Sequence, residues 1–547
     1  MAPVFVVIGY MQESNNIDLT SSPDPGLSGL VIGRKTVLLA LGAVAVIYLA
    51  GLTGRWWPAP DSALYLSLGR SMAQGEGYRI NGVIAPVVPP GFPWILAALY
   101  SLFGGGFWAP NLFEALCGIA TVCLIYLTLA RLGGKAPALL AAVMTGLSYS
   151  FYLNSHEVLS DMPAAAAFWA MTYATLRAQK GAWLWLIPAA LLAAGVTFLR
   201  IPGMLAVFAM AVAMALDRAT EPRKLPRMIR AGVPLAAGGA ALVGLYFWGK
   251  SLTTTTLAYT PTLNENHFNL PLMGSNLLKT LSDTLTGQRS WEIGLLGLAL
   301  MLAGIISRWR RGSRLPAVVI LYCLIVYCLT GGWAIQPRYW LPVQAFALYA
   351  MLQGLLWAVG QICRWRQKPA SPKTLHVAAL ALAGLVVAFN IPQVINWAGY
   401  YSYLSLAGQS GYYDKIRKGN FQDLYPVVDI LKRNVGPGQT VGVNGNTANE
   451  LGYLSERRVL QLEGSIGVKT VLRGKPVLLP DAARLEHLLD STHVLDGDPR
   501  LRLVVLENDD KAPEFTEGLK KQLQQMRQEG KVKLLYEGKV YTVFQRT

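Results

Sequence analysis

The stretch TVLLALGAVAVIYLAGLTGRWWPAPDSALY, residues 36–65, decides the fold. Its first part, 36–53, has no charged side chain and is close to the roughly 20 apolar residues a membrane-spanning helix needs. The arginine, tryptophans and prolines that follow mark where the chain leaves the bilayer. The rest of the sequence agrees. Of 547 residues 53% are hydrophobic and 14% charged, with a mean hydropathy of +0.36, too apolar for an ordinary soluble chain.

Further windows of this kind lie near 109–130, 136–152, 163–177, 181–198, 201–216, 232–249, 292–307, 315–330, 340–360 and 374–392. With 36–53 they predict about eleven transmembrane helices. The shorter apolar stretch Phe92 to Phe103, hemmed in by Pro89, Pro90, Pro93 and the glycines 104–106, reads as a helix lying at the membrane surface.

Charge tests the count, because each added or removed span inverts everything downstream. With the N-terminus inside, Arg131, Lys135, Arg177, Arg223, Arg308, Arg310, Arg311, Arg364 and their neighbours fall on the cytoplasmic side. They outnumber the outer basic residues, such as Arg55, Arg70, Arg200, Arg289 and Arg338, by more than two to one. The formal charge of +17 therefore reads as topology. No basic stripe interleaved with stacking aromatics points to nucleic acid.

Residues 1–35 lack the charged start, apolar core and cleavage site of a signal peptide and are expected to form a cytoplasmic tail. Cys117, Cys123, Cys323, Cys328 and Cys363 make no metal or disulfide pattern and read as packing residues. The transmembrane part is expected over 36–392, with a long first outer loop at 54–108.

From 393 to 547 charges recur regularly and apolar runs shrink to strand length, predicting a soluble extracytoplasmic α/β domain. Phe421 to Asn434 and Glu514 to Glu529 read as helices. Thr440 to Val443, Leu501 to Leu506, Val532 to Tyr536 and Lys539 to Gln545 read as strands. No phosphate-binding glycine motif joins a strand to a helix there.

Chemistry is expected where this topology gathers polar residues at the outer surface. Asp61 follows the first span, where its carboxylate could take a proton from an attacking hydroxyl or, instead, cap the helix starting at Ser62. The short loop Asn154-Ser155-His156-Glu157-Val158-Leu159-Ser160-Asp161 carries His156, Glu157 and Asp161, which could bind a cation or sugar hydroxyls. Asp161 before Met162-Pro163 could again be an N-cap. Arg200 and Arg338 suit a phosphate by their guanidinium forks, although a lone arginine can also snorkel to a headgroup. Glu265, His267 and Arg289 are weaker candidates in a loop that needs polar residues merely to be solvated.

Three segments carry a family likeness: Asp61-x-x-x-Tyr65 with Gly75-x-Gly77-Tyr78 and Pro89-Pro90-Gly91-x-Pro93; Glu157-x-x-x-Asp161-x-Pro163; and Arg338-Tyr339-x-x-Pro342. In this order and sidedness the chain resembles the GT-C superfamily of polyprenyl-phosphate-sugar glycosyltransferases, in the branch of the protein O-mannosyltransferases and lipid A aminoarabinose transferases. The likeness covers about residues 36–360. It implies a catalytic base at Asp61, a donor-sugar and acceptor site shaped by Glu157 and Asp161, and carrier-phosphate contacts from outer-facing arginines, here Arg200 and Arg338. Tyr65, His156 and Tyr339 are expected to join them in binding substrate. Many relatives have an acidic pair where this chain has Asp61-Ser62.

The implied partners are a lipid-phosphate-linked sugar as donor, membrane lipids, and a lipid, glycan or protein acceptor at the cell membrane. A divalent cation is used by some members and not by others, and no ligand pattern here decides it. A phosphate on the anomeric carbon leaves readily, so a base and positive charge suffice, and in-line attack inverts the centre. The rivals are a secondary transporter, against which stand the absence of a repeat and the clustering of ionisable residues at one face, and a polysaccharide ligase or polymerase.

Overall fold

The uncharged run at 36–53 forms most of α1 (Arg34–Ala50), and Gly51 caps it. Pro60 then opens α2 (Pro60–Ala73), where its missing N–H and fixed φ suit the first helical turn. The strands β1 (Arg79–Ile80) and β2 (Val83–Ile84) pair antiparallel, and α3 (Gly91–Phe103) follows the Pro89-Pro90 pair. Next come α4 (Trp108–Gly133), α5 (Lys135–Gly146), α6 (Tyr149–Asn154), α7 (Asp161–Arg177), α8 (Leu186–Leu199) and α9 (Gly203–Leu216). The helical part closes with α10 (Lys224–Leu252), α11 (Leu270–Thr286), α12 (Trp291–Arg310), α13 (Gln344–Trp365) and α14 (Pro372–Leu406).

This computed structural model describes residues 32–547 except 81–82, 85–87, 179–181, 220, 253–269, 323–324, 326–336, 368–369, 407–420, 437–438, 445–446, 462–500 and 508–512. Glu265, His267, Cys323, Cys328 and most of the 1–35 tail lie outside the described residues, as does much of the 315–330 window. Cys117, Cys123 and Cys363 are half-buried free thiols.

Among the described residues 5 helices are long and apolar enough to cross a membrane: α4, α10, α12, α13 and most of α14. The chain is a multi-pass membrane protein. The 136–152 window divides into α5 and α6 at Leu147-Ser148, and the 181–198 and 201–216 windows give shorter apolar helices.

The chain divides into two units, one of 1–52, 111–245 and 266–399, the other of 53–110, 246–265 and 400–547. In the first, α12 crosses α13 closely because glycines stand at the crossing. A Cβ on Gly304 would run into the Ala350 carbonyl, and one on Gly354 into that of Leu300. Small residues at such a crossing let two spans gain dispersion contact where lipid offers no hydrophobic drive. Buried polar side chains tie other helices together. The Asn390 amide donates to the carbonyl of Leu285 (2.9 Å) and accepts from the Tyr149 N–H (2.8 Å), joining α14, α11 and α6. Gln344 donates to Ser148 at 2.7 Å, across the break between α5 and α6.

In the second unit α2 packs on α3, with Tyr65 edge-on to Phe92 at 5.1 Å. Residues after 400 form α15 (Leu424–Asn434), β3 (Thr440–Val443), α16 (Ala448–Ser455), β4 (Arg458–Gln461), β5 (Leu501–Glu507), α17 (Pro513–Gln528), β6 (Val532–Glu537) and β7 (Tyr541–Arg546). The strand order is β4-β3-β5-β7-β6. β3 runs parallel to β4 and β5, and β7 antiparallel to β5 and β6. Leu519, Leu523 and Met526 of α17 cover Leu501, Val504, Leu506, Val532 and Phe544 on one face of the sheet. The amphipathic period read at 514–529 is thereby explained, while α16 and β4 were not expected.

Candidate active site

Asp161 opens α7, but Ser160 is the N-cap and makes no side-chain cap bond. The carboxylate is instead buried against Arg200, with Nη1 to Oδ2 at 2.5 Å and Asp161 only 1% exposed. Arg200 ends α8 in extended backbone, where the Pro202-Gly203 turn into α9 begins. Its guanidinium lies 4.7 Å from the centre of the Tyr339 ring, and that of Arg338 lies 5.4 Å from the same ring. Tyr339 therefore serves both cations as an aromatic surface, an arrangement guanidinium favours over ammonium. A short 3-10 turn, Pro337–Trp340, presents both residues, and the Tyr322 hydroxyl donates to the Tyr339 carbonyl at 2.6 Å.

Asp161, Phe168, Arg200, Tyr322, Arg338 and Tyr339 line one cavity of the first unit. Its charged lining is two guanidiniums against one carboxylate, so it favours an anion. Apolar wall is supplied by Phe168, Val196, Ala206 and Pro342. Positive charge beside apolar surface is what a phosphate attached to a hydrocarbon requires.

Two acidic residues stand nearby in this unit. Glu157 is half-buried, and its charge acts on Glu114 and Tyr149. Glu114, fully buried on α4, lies under the charges of both Asp161 and Glu157 and near the backbone N–H of Leu159. The 109–130 window hid this carboxylate among apolar neighbours. A single acid inside an otherwise uncharged span was the signal that could have revealed it. Tyr322 lay in the same way within an apolar window.

His156 does not join this group. Its Nδ1 lies 2.9 Å from the Tyr152 carbonyl and its Nε2 3.0 Å from that of Tyr48. Its ring packs among Tyr48, Tyr152 and Trp397. Burial pulls its pKa below the ordinary imidazole value, against the opposing pull of the two carbonyls. These contacts tie α1 to the end of α6. Tyr65 likewise is buried in the α2–α3 seam.

Asp61 belongs to the second unit, exposed in the first turn of α2. The N-cap is Ala59, so the capping explanation for Asp61 is not what is observed. Beside it, the Trp56 indole donates to Ser62 at 2.8 Å, tying the loop to the start of the helix. Among the described residues no three His, Cys, Asp or Glu side chains converge to hold a metal ion.

The fold has counterparts among known proteins. The crystal structure of ArnT from Cupriavidus metallidurans bound to undecaprenyl phosphate superposes with a TM-score of 0.56 at 13% identity, over 94% of this chain and 98% of that one. The archaeal oligosaccharyltransferase AglB from Archaeoglobus fulgidus, in complex with an inhibitory peptide and a dolichol-phosphate, gives 0.50 at 12% identity, over 86% and 69%. The chain has the GT-C fold expected from its motifs. Within that class, residues 87–248 match the family model of the dolichyl-phosphate-mannose-protein mannosyltransferases. An uncharacterized protein of Aquifex aeolicus (strain VF5) is 29% identical over 133 residues, covering 24% of this chain and 27% of that protein.

Proposed function

We propose that the chain is a membrane glycosyltransferase that moves a sugar from a polyprenyl-phosphate carrier to a lipid, glycan or protein acceptor on the extracytoplasmic face. The observation that carries this reading is the cavity in which Arg200 and Arg338 flank Tyr339 with a single carboxylate, Asp161, among the charged lining. The guanidiniums hold the carrier phosphate, and the apolar wall takes the first part of the hydrocarbon. Asp161 orients Arg200, and Glu157 adds a second carboxylate to the same loop.

In the reaction an acceptor hydroxyl oxygen attacks the anomeric carbon as the bond from that carbon to the phosphate oxygen breaks. The proton goes to Asp61 and the electron pair leaves with the phosphate, whose charge the arginines stabilise. Attack opposite the leaving group inverts the anomeric centre. Eleven spans, a cytoplasmic N-terminus and an outer C-terminal domain complete the reading, supported by the excess of basic residues on one side.

Binding of undecaprenyl phosphate to the purified full-length protein tests the phosphate site. Wild type is expected to bind saturably and Arg338→Ala about ten- to hundredfold more weakly, the usual worth of a charge-assisted contact. Arg338→Lys is expected to fall between them. Equal affinity in all three would remove the arginines from the phosphate site.

A further inference from the structure

The second unit contains an aromatic and charged cluster that the proposed chemistry does not use. At its centre is Tyr453 on α16, 2% exposed. Its ring meets Trp56 edge-on at 5.2 Å and lies 6.2 Å from Phe107, while Trp56 and Phe107 stack at 6.0 Å. The Arg70 guanidinium sits 4.0 Å above the same ring and donates both to the Tyr453 carbonyl (3.0 Å) and to Glu456 (2.9 Å). The hydroxyls of Tyr453 and Tyr100 are 3.1 Å apart.

One residue of the C-terminal region thus touches the loop before α2 through Trp56, the last turn of α2 through Arg70, and α3 through Tyr100. Trp56 in turn holds Ser62, the neighbour of Asp61. Asn449, one turn earlier on α16, reaches the Pro60 carbonyl at 3.5 Å. A base must hold its carboxylate within tenths of an ångström to act at full rate. Asp61 is exposed in a first turn, where a helix is most apt to fray, and its own cap gives no side-chain bond.

We infer that Tyr453 is a positioning residue: through Trp56 it holds the start of α2 and through Arg70 its last turn, so that the C-terminal domain sets the placement of Asp61. This rests on the reading of Asp61 as base. It gives the C-terminal domain a part in turnover that does not depend on binding the acceptor.

The test uses the full-length protein and the variants Tyr453→Ala, Tyr453→Phe and Asp61→Asn. Amide hydrogen exchange is read across α2 and across β3, β5 and β7, and kcat and KM are measured with a radiolabelled polyprenyl-phosphate sugar. Tyr453→Ala is expected to speed exchange in the first turns of α2 at least tenfold and lower kcat about tenfold or more. The donor KM and the exchange of the sheet should hold. Tyr453→Phe, which keeps the ring against Trp56 and Arg70, is expected to stay within about threefold of wild type in both readouts.

Unchanged exchange in α2, a change confined to KM, or equal exchange loss in the sheet would overturn the positioning role while leaving Asp61 as base. Turnover by Asp61→Asn would overturn the base and the positioning role together. For a Tyr453→Ala protein that fails to fold, Glu456→Ala decides: it removes the partly exposed side-chain contact with Arg70. A smaller kcat loss with unchanged KM upholds the inference, and unchanged kcat and α2 exchange overturn it.

Discussion

Arg200 and Arg338 share one aromatic ring, and Arg200 also balances a buried carboxylate. Arg200→Ala leaves Asp161 buried without its cation, which costs about 3–5 kcal/mol. Thermal unfolding in detergent should show that loss, and adding Asp161→Asn should restore part of it. The His156 knot titrates instead. Its folded pKa is depressed by burial, so the unfolded chain binds the proton more readily. Stability from this site is full above the ordinary imidazole value of about 6.5 and falls as pH drops below it toward the folded value. Between pH 7.5 and pH 5 wild type should lose more unfolding temperature than His156→Asn. An identical slope would show that the ring does not titrate.

Among the elements, the α12–α13 crossing is the most exacting. Gly304→Leu drives a side chain into the Ala350 carbonyl and should cost at least about 1–3 kcal/mol, the usual range for overpacking, read as a lower unfolding temperature. The sequence announced these helices by their apolar length, and it announced α17, β3 and the closing strand pair by their periods. It did not announce the crossing, since Gly304 and Gly354 carry no pattern that pairs them across fifty positions. The site was legible in the same partial way. Arg200, Arg338 and Asp161 were recognisable as charges at membrane edges. That Asp161 pairs with Arg200 is set by the approach of α7 to the end of α8, which spacing does not encode. The surroundings of His156 were not legible either. Its ring is taken by carbonyls of Tyr48 and Tyr152, the first more than a hundred residues away.

The first unit carries a cavity lined by two arginines and one carboxylate, and in the second unit the helix Ala448–Ser455 packs against α2 of the first loop. Sidedness is the property that this arrangement requires. Alkaline phosphatase fused after Thr547 should be active in a bacterial host, since it folds only when exported, and an inactive fusion of normal abundance would invert the topology. The central claim is tested most directly by transfer itself. Purified wild type and Asp61→Asn protein are given a panel of radiolabelled polyprenyl-phosphate sugars with a membrane extract as acceptor. Transfer by wild type, with loss of at least about a hundredfold in Asp61→Asn, the typical worth of a catalytic base, is the predicted result. Equal transfer by both proteins, or none by folded wild type with any donor, would contradict the account.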